Sequence, residues 1–473
     1  GYRFRGAFVM MNGVPNSPPN RYVQVTDAVV KNNAFINCDN ILLGAGSDAE
    51  RSAPPINSTI SDNIFYHESK PNIFTIYDDI SGITFENNIT SPNIETGIPK
   101  GFEKADIKLV KNEQGFLIPE SPAIKTKVTI SPKIATKEIT GVSWYSKADK
   151  VVALNSGKTI KVNPGINTLI DIENESESGD IIELASGETY YLTKTININK
   201  PISFKSSGNK KAIILFEKMS AIDIQNGGSL SLEGIKFDGA NAPDYAGNAV
   251  IRTSKNSMNE NYKLFINNCD FENLVVNHSF DVVKVSKNTF ADTLSIQNSS
   301  FKNITGHIVA LDKETEDVGA YNAEYLIIKN NVFKDVQGTA LRLYRGGTDE
   351  STFGPFLELE HNVFDNVGNG KRNKYNAAIS LYGVQENDIS NNIFINSKAI
   401  NMHLVVGEPI VNVLNNDFYN SDKMVVTGDQ KYTVENVWNL IPNFIENTYQ
   451  LSDKSELKGK ATDGSNLGLI SKK

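Results

Sequence analysis

A short phrase, Asn-Asn-x-Phe, returns along this chain, each time behind a strand of alternating apolar and polar residues. It stands at Asn32-Asn33-Ala34-Phe35, Asp62-Asn63-Ile64-Phe65, Asn330-Asn331-Val332-Phe333, His361-Asn362-Val363-Phe364, Asn391-Asn392-Ile393-Phe394 and Asn415-Asn416-Asp417-Phe418. Variants stand at Asn268-Cys269-Asp270-Phe271 and Asn298-Ser299-Ser300-Phe301, and the spacing between neighbours runs from 24 to 33 residues. A fixed period of this size, built on strands, marks a solenoid in which each coil buries its apolar face against the next. The preceding strands LIIKNNVF, LELEHNVF, DISNNIF and VNVLNNDF show the required alternation. The expected fold is all-β: a parallel β-helix, right-handed because parallel crossovers almost always are. Val, Ile and Phe columns point inward. Asn suits the corners because it tolerates left-handed backbone angles and its amide can bond both the backbone and the Asn of the next coil. The sequence holds 56 asparagines in 473 residues. Cys38 and Cys269 sit beside such corners and read as small buried hydrophobes.

The coil signal is interrupted once. It fills residues 1 to 91, fades over 92–150 among Pro92, Pro99, Pro119, Pro122 and Pro132, resumes near Gly179 and runs to Val426. The expected layout is two tandem β-helices: the last coils and cap of a first one over 1–125, a linker over 126–150, and a second over 151–473 with its own C-terminal cap. The first block has only three coils and opens on strand-like GYRFRGAFVMM, with neither a signal-peptide pattern nor a helical cap. Three uncapped coils make a poor independent domain. The first β-helix is therefore expected to begin upstream of Gly1, truncated here at its N-terminus.

Composition excludes some functions. A net charge of -8 argues against a nucleic-acid binder, which shows a basic face. It leaves anionic sugars open, because a few local arginines can outweigh the global balance. Two cysteines cannot build a disulfide framework, and no apolar run approaches the ~18 residues of a membrane span. No Walker loop, HExxH, GxSxG or Cys-x-x-Cys is present, and the five histidines are scattered without metal-ligand spacing.

One polar cluster stands out in the first block. Arg3 and Arg5 precede Asn12; Asp48, Glu50 and Arg51 fall in GAGSDAERSAPP; Tyr77, Asp78 and Asp79 fall in FTIYDDISG. These positions recur at about coil spacing, so neighbouring coils can present them on one face. Arg bonds a sugar carboxylate bidentately through its planar fork, and Tyr offers a stacking face and a hydroxyl. The competing reading is a set of surface salt bridges in a solvated loop. In the second block Arg342, Tyr344 and Arg345 of TALRLYRGGTDE form a weaker group, read as solvated surface charge.

The wording of GYRFRGAFVMMNGVPNSPPNRYVQV, NNAFINCDNILLGAGSDAERSAPP and DNIFYHESKPNIFTIYDDISGITFENN resembles the C-terminal coils of the alginate lyase and chondroitinase B family, polysaccharide lyase family six. The resemblance covers residues 1–125. Over 150–473 it is architectural, to the accessory β-helix of two-domain alginate lyases. It implies a pectin-lyase-like solenoid and β-elimination on uronic-acid glycans, alginate preferred because the two-helix layout and the RFRG and SDAER segments look closer to that branch. In that family a Ca2+ ion neutralises the uronate carboxylate and acidifies the C5 proton. A Lys removes that proton and an Arg assists departure of the 4-linked oxygen. Carried over, Arg5, Arg51, Glu50 and Tyr77 are the candidate substrate-binding residues. The catalytic Lys, its partner Arg and the Ca2+ ligands belong to coils preceding GYRFRG, so no catalytic or metal residue is assigned, and this chain is expected to be inactive alone. The implied partner is an anionic polysaccharide, with no nucleic acid and no membrane span. The oligomeric state stays open, a homodimer among the options, and the substrate implies a secreted or periplasmic protein. The alternative is a non-catalytic glycan-binding or scaffolding β-helix.

Overall fold

The computed structural model describes residues 7–17, 22–111, 117–119, 153–316, 319–346, 354–405 and 409–470. The chain divides into two compact units, Gly1–Ala148 and Asp149–Lys473. The segment read as a linker, 126–150, lies outside the described residues.

Both units are parallel β-helices. In the first, strands Phe8–Met11, Ile41–Ala45 and Phe74–Ile76 form one sheet, and Val29–Lys31, Ser58–Ser61 and Ile83–Glu86 a second. Ala34–Ile36, Ile64–Tyr66, Asn88–Thr90 and Phe102–Lys104 form the third. In the second unit nine strands from Ile196–Ile198 to Val425–Thr427 make one sheet. Nineteen strands from Thr159–Val162 to Thr433–Trp438 make the other, in two columns that meet at the Asn corners. The one helix among the described residues, Thr168–Glu175, buries Leu169 against the first strands of this unit.

The paired asparagines divide two jobs between them. The first of each pair holds the left-handed backbone, with φ between 51° and 63° at Asn32, Asp62, Asn268, Asn298, Asn330, His361, Asn391 and Asn415. The second is buried and builds a ladder. Asn331, Asn362 and Asn392 each donate one amide hydrogen to the next corner's Oδ1, at 3.0 Å, and another to a backbone carbonyl at 2.8–2.9 Å. Each Oδ1 of Asn331, Asn362 and Asn392 also accepts the backbone N–H of the preceding corner. Ser299 takes the ladder position in its coil and receives the Cys269 N–H through its hydroxyl. In the first unit the ladder runs Asn33, Asn63, Asn88. Asn88 departs from the Asn-Asn-x-Phe phrase because Thr90 stands where Phe is expected.

Two residues after each ladder position comes the aromatic column. Phe237, Phe271, Phe301, Phe333, Phe364, Phe394 and Phe418 stack at centroid spacings of 4.4–5.2 Å and within 9° of parallel. Strand spacing sets this distance, so identical residues in register must stack.

Beyond the last full strand, the 443–470 segment runs along the outside of the coils. It buries Leu451, Leu457 and Leu467 against Val363 and Ile393. The Gly468 carbonyl lies 3.0 Å from His361 Nδ1, and the Ile470 N–H donates to Asn330 Oδ1 at 2.8 Å. Under the start of this segment Asp417 is wholly buried, accepts only the Leu440 N–H, and is pushed up to about 6 by burial. A folded-state value above the unfolded one (about 3.9) makes this group's contribution fully present below pH 4. It is lost as pH rises through 6. Asp417→Asn removes the ionisation. Its unfolding free energy should gain on the parent's by about 2–3 kcal/mol between pH 4 and pH 7.5. Denaturant melts at both pH values check this; an unchanging difference would contradict it.

Candidate functional site

In the first unit the sheet that follows each corner strand carries the polar cluster. Its strands Phe8–Met11, Ile41–Ala45 and Phe74–Ile76 lie in parallel register, so the loops leaving their ends emerge side by side. Asn12, just past the first strand, is 1% exposed and joins the other two loops. Its amide donates to the Arg51 carbonyl at 3.1 Å and to Asp78 Oδ2 at 2.6 Å. Ser47 Oγ donates to the same Asp78 oxygen at 2.7 Å. Gly44 makes the crossing possible: at φ 71° it has no Cβ, and one placed there would lie 2.9 Å from Asp78 Cβ. These donors, Ser47 first, hold the Asp78 carboxyl below its usual range.

Arg51 is fixed from one side. Its Nε and Nη2 both donate to Asp48 Oδ2, at 2.9 and 2.7 Å, while Asp48 Oδ1 accepts the Glu50 and Arg51 N–H groups. The Arg51 backbone N–H and then its guanidinium hold the Asp48 carboxyl below its ordinary value. The Tyr22 ring lies 5.8 Å from the guanidinium carbon. A guanidinium carries five N–H donors in a planar fork. Asp48 takes Nε–H and one Nη2 hydrogen, and the second Nη2 hydrogen and both Nη1 hydrogens have no hydrogen-bond partner among the described residues. A one-third-exposed arginine oriented this way presents a carboxylate-sized edge to solvent.

Of the candidate residues, Arg51 and Glu50 share the Asp48 loop. Tyr77 follows the neighbouring strand, its N–H bonded to the Leu43 carbonyl and its side chain 48% exposed. Arg5 lies outside the described residues. Tyr22 and Ser47 were not expected, since nothing in their spacing marks them. In the second unit the Arg342 group separates. It is not the solvated surface charge expected: Arg342 is buried, pairs with Asp312 at 2.6 Å and lies against the Tyr375 ring, Tyr344 stacks on Tyr382, and Arg345 is 1% exposed.

The calcium ion implied by the family resemblance does not fit the described residues. No three His, Cys, Asp or Glu side chains come together among them. Asp48 and Asp78 already accept donors on both oxygens. No helix among the described residues is long and apolar enough to cross a membrane.

A solenoid that gathers an arginine-centred network at its strand ends belongs to the β-helix class. Residues 1–130 match the Chondroitinase B family model. The chain is similar to a solved alginate lyase of the PL6 family, AlyGC, at 42% identity and a TM-score of 0.75. The match covers 90% of this chain and 60% of that lyase. An arginine-to-alanine mutant of the same lyase matches at 42% identity, a TM-score of 0.77 and the same coverage. No curated protein matches. The chain is thus related to the alginate lyase and chondroitinase B family of polysaccharide lyases, and it spans 60% of the length of the solved lyase it resembles.

Proposed function

We propose that this chain supplies a uronate-binding part of a polysaccharide lyase that cleaves uronic-acid glycans by β-elimination, with alginate the preferred polymer. One observation carries the reading: Arg51 is braced along one edge by Asp48 and leaves the opposite edge of its fork for a carboxylate. Bracing matters because a preorganised guanidinium loses less freedom when it binds. Glu50, close by, accepts hydrogen bonds from sugar hydroxyls, and the exposed Tyr77 ring offers a stacking face. Such a polymer is met outside the cytoplasm, so secretion or a periplasmic location belongs to the same proposal.

The described residues are proposed to bind and orient the glycan. Lys31, Lys70 and Lys104 face Asp62, Asp39 and Glu95. The chain should bind oligomannuronate or oligoguluronate in calorimetry and ignore a neutral oligosaccharide of equal length. It should release unsaturated uronate, followed by absorbance, roughly 10²–10⁴-fold more slowly than a complete lyase of the family. Equal affinity for the neutral sugar, or turnover matching a complete lyase, would contradict this reading.

A further inference from the structure

The second unit holds a cavity of about 210 Å³ at the turns that lead into its nine-stranded sheet, the strand end opposite to the one from which the Arg51 loops leave in the first. Its floor is the turn glycine Gly338, where a Cβ would lie 2.3 Å from the Gly306 carbonyl oxygen. Its walls include His278, His307, Lys371 and Arg372, and no carboxylate lines it. In a chain of net charge -8 that local composition is unusual. Arg51, Arg252 and Arg342 are each paired with an aspartate. Lys371 and Arg372 have no carboxylate partner among the described residues.

The two cations stand on a rigid platform. They belong to 368–376, a longer insertion between the Phe364 strand and its sheet strand Ala377–Tyr382 than the neighbouring coils carry. Asn373 Nδ2 closes the base of this loop by donating to the Gly368 and Ala377 carbonyls, both at 2.9 Å. Tyr375 lies between the Arg342 guanidinium (4.7 Å) and the Lys374 ammonium (5.3 Å), and its hydroxyl donates to Asp312 at 3.1 Å. His307 is neutral: burial first, then the Arg342 charge, pull it down to about 4, against the opposing pull of Asp281. It contributes shape and polarity, not charge.

We propose that this cavity is a second glycan subsite, which takes the carboxylate of one uronate ring against Arg372 and Lys371 and leaves the rest of the polymer outside. The inference rests on the uronate reading above. The volume suits a single ring, being below the roughly 300–1,000 Å³ of drug-sized pockets. The Arg372 fork matches a carboxylate bidentately, and Lys371 adds a point charge.

The test is calorimetric titration of the full chain with a uronate trisaccharide from partly hydrolysed alginate, in an Arg51→Ala background. Residual binding is expected there, and adding Arg372→Ala should weaken it roughly ten-fold or more, with Lys371→Ala additive and melting temperatures unchanged. If Arg51→Ala alone abolishes the binding that the parent shows, or if Arg372→Ala leaves the residual binding untouched, the second subsite is overturned and the first stands. A parent that binds no uronate overturns both.

Discussion

Replacing Asn362 with Ala should cost roughly 3–6 kcal/mol of unfolding free energy, among the largest effects of any single polar substitution in this chain. The side chain is wholly buried. Its Oδ1 receives the Asn331 N–H and amide, and its own amide reaches the Ile328 carbonyl and Asn392 Oδ1. Truncation leaves two donors of Asn331 and the Ile328 carbonyl without partners in a dry interior. Each unmet group costs about 1–3 kcal/mol, and the sum is less than additive because the neighbours share one network. Asn362→Ser should recover part of the loss, since Ser299 fills the equivalent position by accepting the Cys269 N–H at 3.0 Å and donating to the Gln297 carbonyl at 2.7 Å. Denaturant unfolding gives the ranking parent, Ser, Ala. An alanine variant within 1 kcal/mol of the parent would mean the ladder does not hold the coils together.

Phe333→Ala should cost a further class of energy, about 3–5 kcal/mol, through the cavity it leaves. The ring is 1% exposed and is stacked between Phe301 at 5.1 Å and Phe364 at 4.8 Å, so both faces lose their contacts at once. A solenoid coil touches only its neighbours, so the loss is concentrated at two interfaces and cannot be spread through a globular core. Phe333→Leu keeps most of the volume and should cost less than half as much. The expected signature is a broadened unfolding transition as the two halves of the stack uncouple. A sharp transition displaced by less than 1 kcal/mol would contradict the column's role.

Most of this architecture is written in the sequence because a solenoid repeats its local physics. The Asn corner recurs because a left-handed turn and a buried amide ladder are needed once per coil. Charge alone misled at Arg342 and Arg345, read as solvated surface but buried in the fold, Arg342 beneath the Tyr375 ring. What does not repeat is harder to read. The Asn88 rung lacks its Phe. The GNGKRNKYN insertion carries no repeat signal, and only its position beside Gly338 and His307 makes a cavity. The Asp48–Arg51 pair is three residues apart and visible as a loop salt bridge. Spacing cannot show that Asp48 occupies one edge of the fork and leaves the other, nor that Asn12 ties that loop to Asp78 across 66 positions.

The central claim is that Arg51 binds a uronate carboxylate. Calorimetric titration of oligouronate into the parent, Arg51→Ala and Arg51→Lys, with melting temperatures alongside, tests it most directly. A charge-assisted bond contributes about 1.5–3 kcal/mol. Alanine should therefore weaken binding roughly ten-fold or more, lysine should restore only part because a point charge cannot reproduce the fork, and the melting temperatures should stay together because an exposed ion pair adds little stability. Variants that bind like the parent, with a lowered melting temperature, would show that Arg51 serves only to fasten its own loop.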